Sequence, residues 1–275
     1  MLNSQVLINR QLCSNISMTD IKKMPSKGIY LLPNLVTTAA LFSGFYAILA
    51  GINGQFEKAA IAVFIAMILD GLDGRVARWT NTQSEFGEQY DSLSDLISFG
   101  LAPALVMFQW ALVYMKDVSI AWGKFGWMAA FIYVACAALR LARFNVQIEE
   151  VDKRYFIGLP SPSAAGIMVG MVWILHDLDV SGKGIQIPAL IMTIGAGLLM
   201  VSNVKYCSFK DFDLKSKVPH IVILGVVLGF ALIQIDPPKV LFLIFFVYVL
   251  SGPYFWLQQK YKQRMNNINN TDENI

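Results

Sequence analysis

Four aspartates fall within 26 positions of this chain: Asp70 and Asp73, then Asp91 and Asp95. On helices, the spacings i, i+3 and i, i+4 each put both carboxylates on one face. The segment between the pairs is short, so the two helices are expected to run antiparallel as neighbours, with the pairs facing each other across a pocket. Four carboxylates side by side cannot all stay ionised unless cations balance them. Hard oxygen ligands without His or Cys suit Mg²⁺, Mn²⁺ or Ca²⁺ and argue against zinc. Four aspartates are enough for two ions sharing one bridging carboxylate, an arrangement that clamps phosphoryl groups during displacement.

The neighbouring residues fit a phosphate-bearing substrate. Gly74 follows Asp73, where a missing side chain lets a ligand approach the backbone. Arg78 lies one helical turn further on, placed to pair with phosphate oxygens. Gly87 lies one turn before Asp91 and would keep the pocket floor open. Small residues also let helices pack closely, which is the plainer account of Gly71.

The elements that must position these groups are membrane helices. Of the 275 residues 56% are hydrophobic and only 15% charged, with a mean hydropathy of +0.52. A soluble domain carries about a quarter charged residues. Apolar blocks of roughly the length that crosses a bilayer fall near 30–51, 58–78, 92–115, 122–143, 160–178, 186–203, 218–235 and 238–258. Lipid satisfies no backbone hydrogen bonds, so these blocks must be helices. The fold expected is an all-α integral membrane protein of about eight transmembrane helices. With both termini in the cytoplasm, most of the 22 Lys and Arg lie inside, as the positive-inside rule requires. The aspartates then sit where spans two and three meet the cytoplasm, and charge so close to a span normally marks function.

Residues 1–29 are polar and mixed, do not resemble a signal peptide, and read as a cytoplasmic arm. The transmembrane domain is expected over 30–258, followed by a polar, disordered tail over 259–275. Cys13, Cys136 and Cys207 form no CxxC pattern and read as apolar fillers or bystanders. A net charge of +3 gives no reason to invoke nucleic acid.

The pattern D-x2-D-G-x2-A-R-x8-G-x3-D-x3-D, filled by Asp70, Asp73, Gly74, Ala77, Arg78, Gly87, Asp91 and Asp95, resembles the signature of the CDP-alcohol phosphatidyltransferase family without a departure. The resemblance implies a six-helix core, here extended by two C-terminal helices, and a homodimer. It implies a site with two Mg²⁺ or Mn²⁺ ions on Asp70, Asp73 and Asp91, the last bridging, with Asp95 as a further ligand or general base. Gly74, Ala77 and Arg78 would hold the CDP moiety of a CDP-activated lipid. Asn34 and Thr37, at the cytoplasmic end of span one, are candidates for contacting the nucleotide or its phosphate. Helix capping is the bland rival for Asn34.

The signature does not name the acceptor alcohol. The segments Leu32–Thr38, Leu139–Asn145, Phe156–Pro162 and Ser202–Lys210 resemble the membrane-embedded phosphatidylserine synthases of that family. That implies CDP-diacylglycerol and L-serine as substrates and a site at the cytoplasmic face of the inner (cytoplasmic) membrane. A zwitterionic amino acid needs a cation for its carboxylate, so Arg140 or Arg143 is expected to bind it, with Asn145 orienting it. Topogenic charge is the competing account of these arginines. The Gly158–Pro162 loop either closes over the site or is a simple turn.

His176 is expected on the opposite membrane face and His220 at a helix end, which leaves no obvious nucleophile for a covalent route. The rival readings are glycerol 3-phosphate or an inositol phosphate as acceptor, an intramembrane prenyltransferase, and a cation transporter with an acidic site. Prenyltransferase motifs lie on well-separated helices, and no internal repeat of the transporter kind is visible.

Overall fold

A computed structural model describes residues 31–146, 155–207 and 220–272 of the chain. The expected arm, 1–29, lies outside the described residues, as do 147–154 and 208–219.

Helix α1 (Leu31–Ile52) is mostly apolar, with a proline tolerated in its first turn. A tight turn containing Gly54 at φ +72° leads into α2 (Phe56–Thr80). Asn81, left-handed at φ 51°, ends α2 and returns its N–H to the carbonyls of Ala77 and Arg78. Ser84 then caps α3 (Glu85–Asp95) by accepting the Gly87 N–H at 3.1 Å. Helix α3 therefore begins two turns before the span expected from 92, and all its acidic residues lie inside it. Directly after Asp95 the backbone widens into a π-helical turn, Leu96–Leu101, before α4 (Ala102–Trp110) continues the rod. Such turns are uncommon and concentrate at functional sites.

A 3₁₀ turn (Leu112–Asp117) joins this rod to α5 (Ile120–Val146). The remaining helices are α6 (Ser161–Asp177), α7 (Gln186–Val201), α8 (His220–Ile235) and α9 (Pro237–Asp272). The last runs to Asp272, through most of the segment expected to be a disordered tail. A two-stranded antiparallel ribbon pairs β1 (Tyr155–Ile157) with β2 (Lys205–Cys207). Gly158, at φ +82°, donates its N–H to Val204 O at 2.8 Å, and a Cβ there would lie 3.1 Å from the Met200 carbonyl carbon. Only glycine meets both conditions.

Four helical stretches among the described residues are long and apolar enough to cross a membrane: Leu32–Ile52, Glu85–Trp110, Ile120–Val146 and Pro237–Lys262. Helix α2 is 25 residues long but carries the acidic and basic residues of the signature, while α6, α7 and α8 have only 17, 16 and 16 residues. The chain is thus a mostly helical membrane protein.

Helix α1 packs along α2 and also against α3 and the π-helical turn. It approaches closely at Gly44, where a Cβ would sit 2.8 Å from Ser98 Cα. Two serines staple the same interface: Ser94 Oγ donates to Thr37 O and Ser98 Oγ to Ala40 O, both at 3.3 Å. Helices α2 and α3, expected as antiparallel neighbours with their aspartates facing each other, do bring those carboxylates together. The tight contacts of both helices are to α1, and the space between them is the cleft described next.

Candidate active site

The aspartates come from two helices that share α1 as a support. Asp70 and Asp73 project from the second half of α2, and Asp91 and Asp95 from the last turns of α3. Carboxylate oxygens of Asp70, Asp91 and Asp95 all lie within 4.8 Å of one another. Asp73 is buried beside them and accepts a hydrogen bond from Thr37 Oγ1 at 2.7 Å. Asp91 Oδ1 is buried with no hydrogen-bond partner. A buried carboxylate oxygen without a donor is costly, and three acidic groups this close repel one another. Both facts fit a divalent cation: the donors are oxygens only, they converge, and one points inward with nothing else to receive it. Asp95 sits on the last residue of α3, so the π-helical turn begins where the acidic face ends.

Beside the cluster lies a cleft of ≈ 120 Å³. Asn34, Thr37, Gly74, Ala77, Arg78 and Gly87, expected from sequence to contact the nucleotide-lipid, all line it, together with Asp73 and Asp91. A Cβ on Gly74 would meet nothing within 4 Å, as expected where a ligand approaches the backbone. On Gly87 it would lie 3.2 Å from Ser84 Oγ and 3.5 Å from Asn34 Oδ1, so this glycine leaves room for both polar groups. Thr82, Gln83, Ser84 and Glu88 also line the cleft. Sequence reasoning misses them because they lie between the fixed positions of the signature, in the turn whose course only the αL cap at Asn81 and the Ser84 cap define. Thr38 on α1 and Tyr90 on α3 link the two helices, their hydroxyl oxygens 2.9 Å apart.

The family model decides the affiliation: it matches residues 30–202, under the description CDP-alcohol phosphatidyltransferase. The chain belongs to this family. Among curated proteins, one from Helicobacter pylori named CDP-diacylglycerol–serine O-phosphatidyltransferase is 35% identical over 237 residues, which is 85% of this chain and 94% of that protein. A Mycobacterium leprae protein of the same name is 27% identical over 82% of this chain and 74% of its own length. A Methanocaldococcus jannaschii protein, also so named, is 32% identical over 66% of this chain and 77% of its own.

With CDP-alcohol phosphatidyltransferase membership established, the residues at the signature-proximal end of α5 stand in a defined relation to the aspartates. Arg140 is partly buried and donates from Nη1 to the fully buried Ser161 Oγ at 2.6 Å. Its guanidinium lies close enough to Asp95 and Asp70 to feel the charge of both carboxylates. Arg143 donates from Nη2 to Asn203 Oδ1 at 3.0 Å, on the exposed rim. Asn145 exchanges hydrogen bonds with Ser92 Oγ at 3.1 and 3.2 Å, and Ser92 directly follows Asp91. Asn145 thus ties α5 to the acidic helix, while Arg140 is the arginine that faces the carboxylates. Ser161 and Asn203 fall within segments that carry the resemblance and Ser92 lies beside Asp91, but only the folded pairing shows what each holds. His176 sits at the far end of α6 against Phe56, ring centroids 5.8 Å apart, away from the cluster.

Proposed function

We propose that this chain transfers the phosphatidyl group of CDP-diacylglycerol to L-serine, releasing CMP and forming phosphatidylserine. The observation that carries the reading is the convergence of all eight signature residues on one cleft and one carboxylate cluster, in a chain whose relatives bear that activity in their names. Membership of the family leaves the prenyltransferase and transporter readings without support.

In this reading Arg78 pairs with the diphosphate, while Gly74, Ala77 and Gly87 let the nucleotide lie against bare backbone. Asn34 and Thr37 border the same cleft from α1. Asp70, Asp73, Asp91 and Asp95 would hold one or two divalent ions, Mg²⁺ or Mn²⁺, which when bound supply the positive charge that stabilises the departing CMP. Asp95 takes the proton from the serine hydroxyl as its oxygen forms a bond to the phosphorus bearing the diacylglycerol; the bond from that phosphorus to CMP breaks, and CMP leaves with the electron pair. Arg140, beside Asp95, receives the serine carboxylate and so brings the hydroxyl to the base. Arg143 and Asn145 support the same end of α5, through Asn203 and Ser92.

The reading extends to topology. Each described helix other than the α4 continuation overlaps one expected span, which supports eight crossings, a catalytic domain over 30–258, and the site at the cytoplasmic face of the inner (cytoplasmic) membrane. Cysteines placed at Gln83 and Asp179 of an otherwise cysteine-free chain should label from opposite sides; labelling of both from one side contradicts this arrangement. A homodimer belongs to the same reading, to be checked by the protein mass in a detergent micelle against the 30.6 kDa chain.

Incubation with labelled serine, CDP-diacylglycerol and Mg²⁺ or Mn²⁺ tests the function. A lipid product carrying the serine label, lost on chelation, is expected. A chain that makes no such lipid under these conditions does not have the function proposed.

A further inference from the structure

Helix α9 lies beyond the residues matched by the family model, yet it packs on α6, the helix that begins at Ser161. Phe245 lies against Gly166, where a Cβ would come within 2.8 Å of the ring, and Phe242 lies against Gly170, with its Cα 3.3 Å from such a Cβ. The numbers rise along one helix as they fall along the other, so the pair is antiparallel. One turn further in this register brings Tyr248 level with the first turn of α6. Tyr248 is fixed there by the ribbon: its ring centroid is 5.6 Å from that of the fully buried Tyr206. The Tyr206 hydroxyl in turn donates to Val249 O at 3.2 Å. The first turn of α6 is also where Ser161 Oγ holds Arg140. Two independent features, the α6–α9 register and the tyrosine pair, therefore place Tyr248 at the end of α6 where Ser161 holds Arg140.

A guanidinium carries five N–H donors in a rigid fork, of which Ser161 occupies one. A phenol oxygen on one flank and the Asp95 carboxylate on another leave few orientations open to the rest. We propose that Tyr248 is a positioning residue for the acceptor: its hydroxyl accepts a hydrogen bond from Arg140 and aims the guanidinium so that its free N–H groups meet the serine carboxylate beside Asp95. The C-terminal helix is then part of the acceptor site and contributes to the choice of alcohol. The inference rests on the reading of Arg140 as the group that binds the acceptor.

The test is steady-state kinetics of the full-length protein in detergent, comparing wild type, Tyr248→Phe, Arg140→Lys and the double variant. Tyr248→Phe removes one oxygen and keeps the ring contact with Tyr206. It should raise the serine KM about three- to tenfold, the size of one lost hydrogen bond, with the CDP-diacylglycerol KM within twofold of wild type. In the Arg140→Lys background the same change should have little further effect. A serine KM unaltered by Tyr248→Phe, or both substrate KM values raised equally, overturns the role given to Tyr248 while leaving Arg140 in place. An Arg140→Lys chain with wild-type serine KM overturns the acceptor reading itself, and this inference with it. If Tyr248→Phe does not fold, Tyr248→Gln against Tyr248→Leu makes the same comparison: the glutamine, which keeps an acceptor oxygen, should hold serine more tightly, and equal KM values overturn the proposal.

Discussion

Thr37 Oγ1 lies 2.7 Å from Asp73 Oδ2, and both residues are buried. The same hydroxyl is 3.1 Å from Pro33 O, but it has one proton to donate, and the shorter contact to a carboxylate is the stronger. This contact connects the first helix to the acidic cluster, leaving Asp73 held by a neutral donor while Asp70, Asp91 and Asp95 converge on a common point.

Removing that donor should loosen the cluster without unfolding the chain. Thr37→Val keeps the shape and loses the hydroxyl; groups that orient a metal ligand typically matter about ten- to a hundredfold in metal affinity or activity. The concentration of Mg²⁺ or Mn²⁺ needed for half-maximal activity should rise by that order in Thr37→Val and stay near wild type in Thr37→Ser. An unchanged metal requirement in the valine variant would show that the Thr37 hydroxyl serves only to bond back to Pro33 O within its own helix.

Asp95→Asn separates proton transfer from binding. A positioned base contributes about 10²–10⁴-fold, so kcat should drop by that range while the KM for CDP-diacylglycerol changes little. A loss expressed mainly in the KM for the lipid would move Asp95 out of the base role and into ligand binding.

The approach of α1 to the π-helical turn is a packing requirement as much as a catalytic one. Gly44→Leu would force a side chain into Ser98, whose backbone leaves no room for even a Cβ. Overpacking of this kind costs about 1–3 kcal/mol, and the thermal midpoint of the purified protein should fall by several degrees. Activity should fall with it, because Asp95 directly precedes the turn that would have to move. A midpoint equal to that of wild type would mean that α1 can shift without cost.

Much of this site is legible in the amino-acid order, for a physical reason. Helical periodicity alone puts Asp70 with Asp73 and Asp91 with Asp95, and the glycines and arginine around them follow from what a diphosphate needs. The support that α1 gives to both α2 and α3 is not legible, because a short link between two helices says nothing of a third helix packed against them. The π-helical turn after Asp95 is equally hidden: its register depends on how closely Gly44 lets α1 approach Ser98, a relation between residues on separate helices. The ribbon of β1 and β2 has three residues per strand, too few for an alternation to be read. The three polar residues at the end of α5 stand together in the sequence as candidate acceptor contacts. Their partners, Ser161 for Arg140, Asn203 for Arg143 and Ser92 for Asn145, distinguish them only once the chain is folded.

The most direct test of the account is the release of CMP from CDP-diacylglycerol by the purified protein with Mg²⁺ or Mn²⁺, using L-serine, glycerol 3-phosphate or an inositol phosphate singly, with Asp91→Asn in parallel. The account predicts metal-dependent release with serine, little with the other two alcohols, and none from the Asp91→Asn chain. Release driven by glycerol 3-phosphate or an inositol phosphate in place of serine would contradict the assigned acceptor, and full activity in Asp91→Asn would contradict the role of the carboxylate cluster.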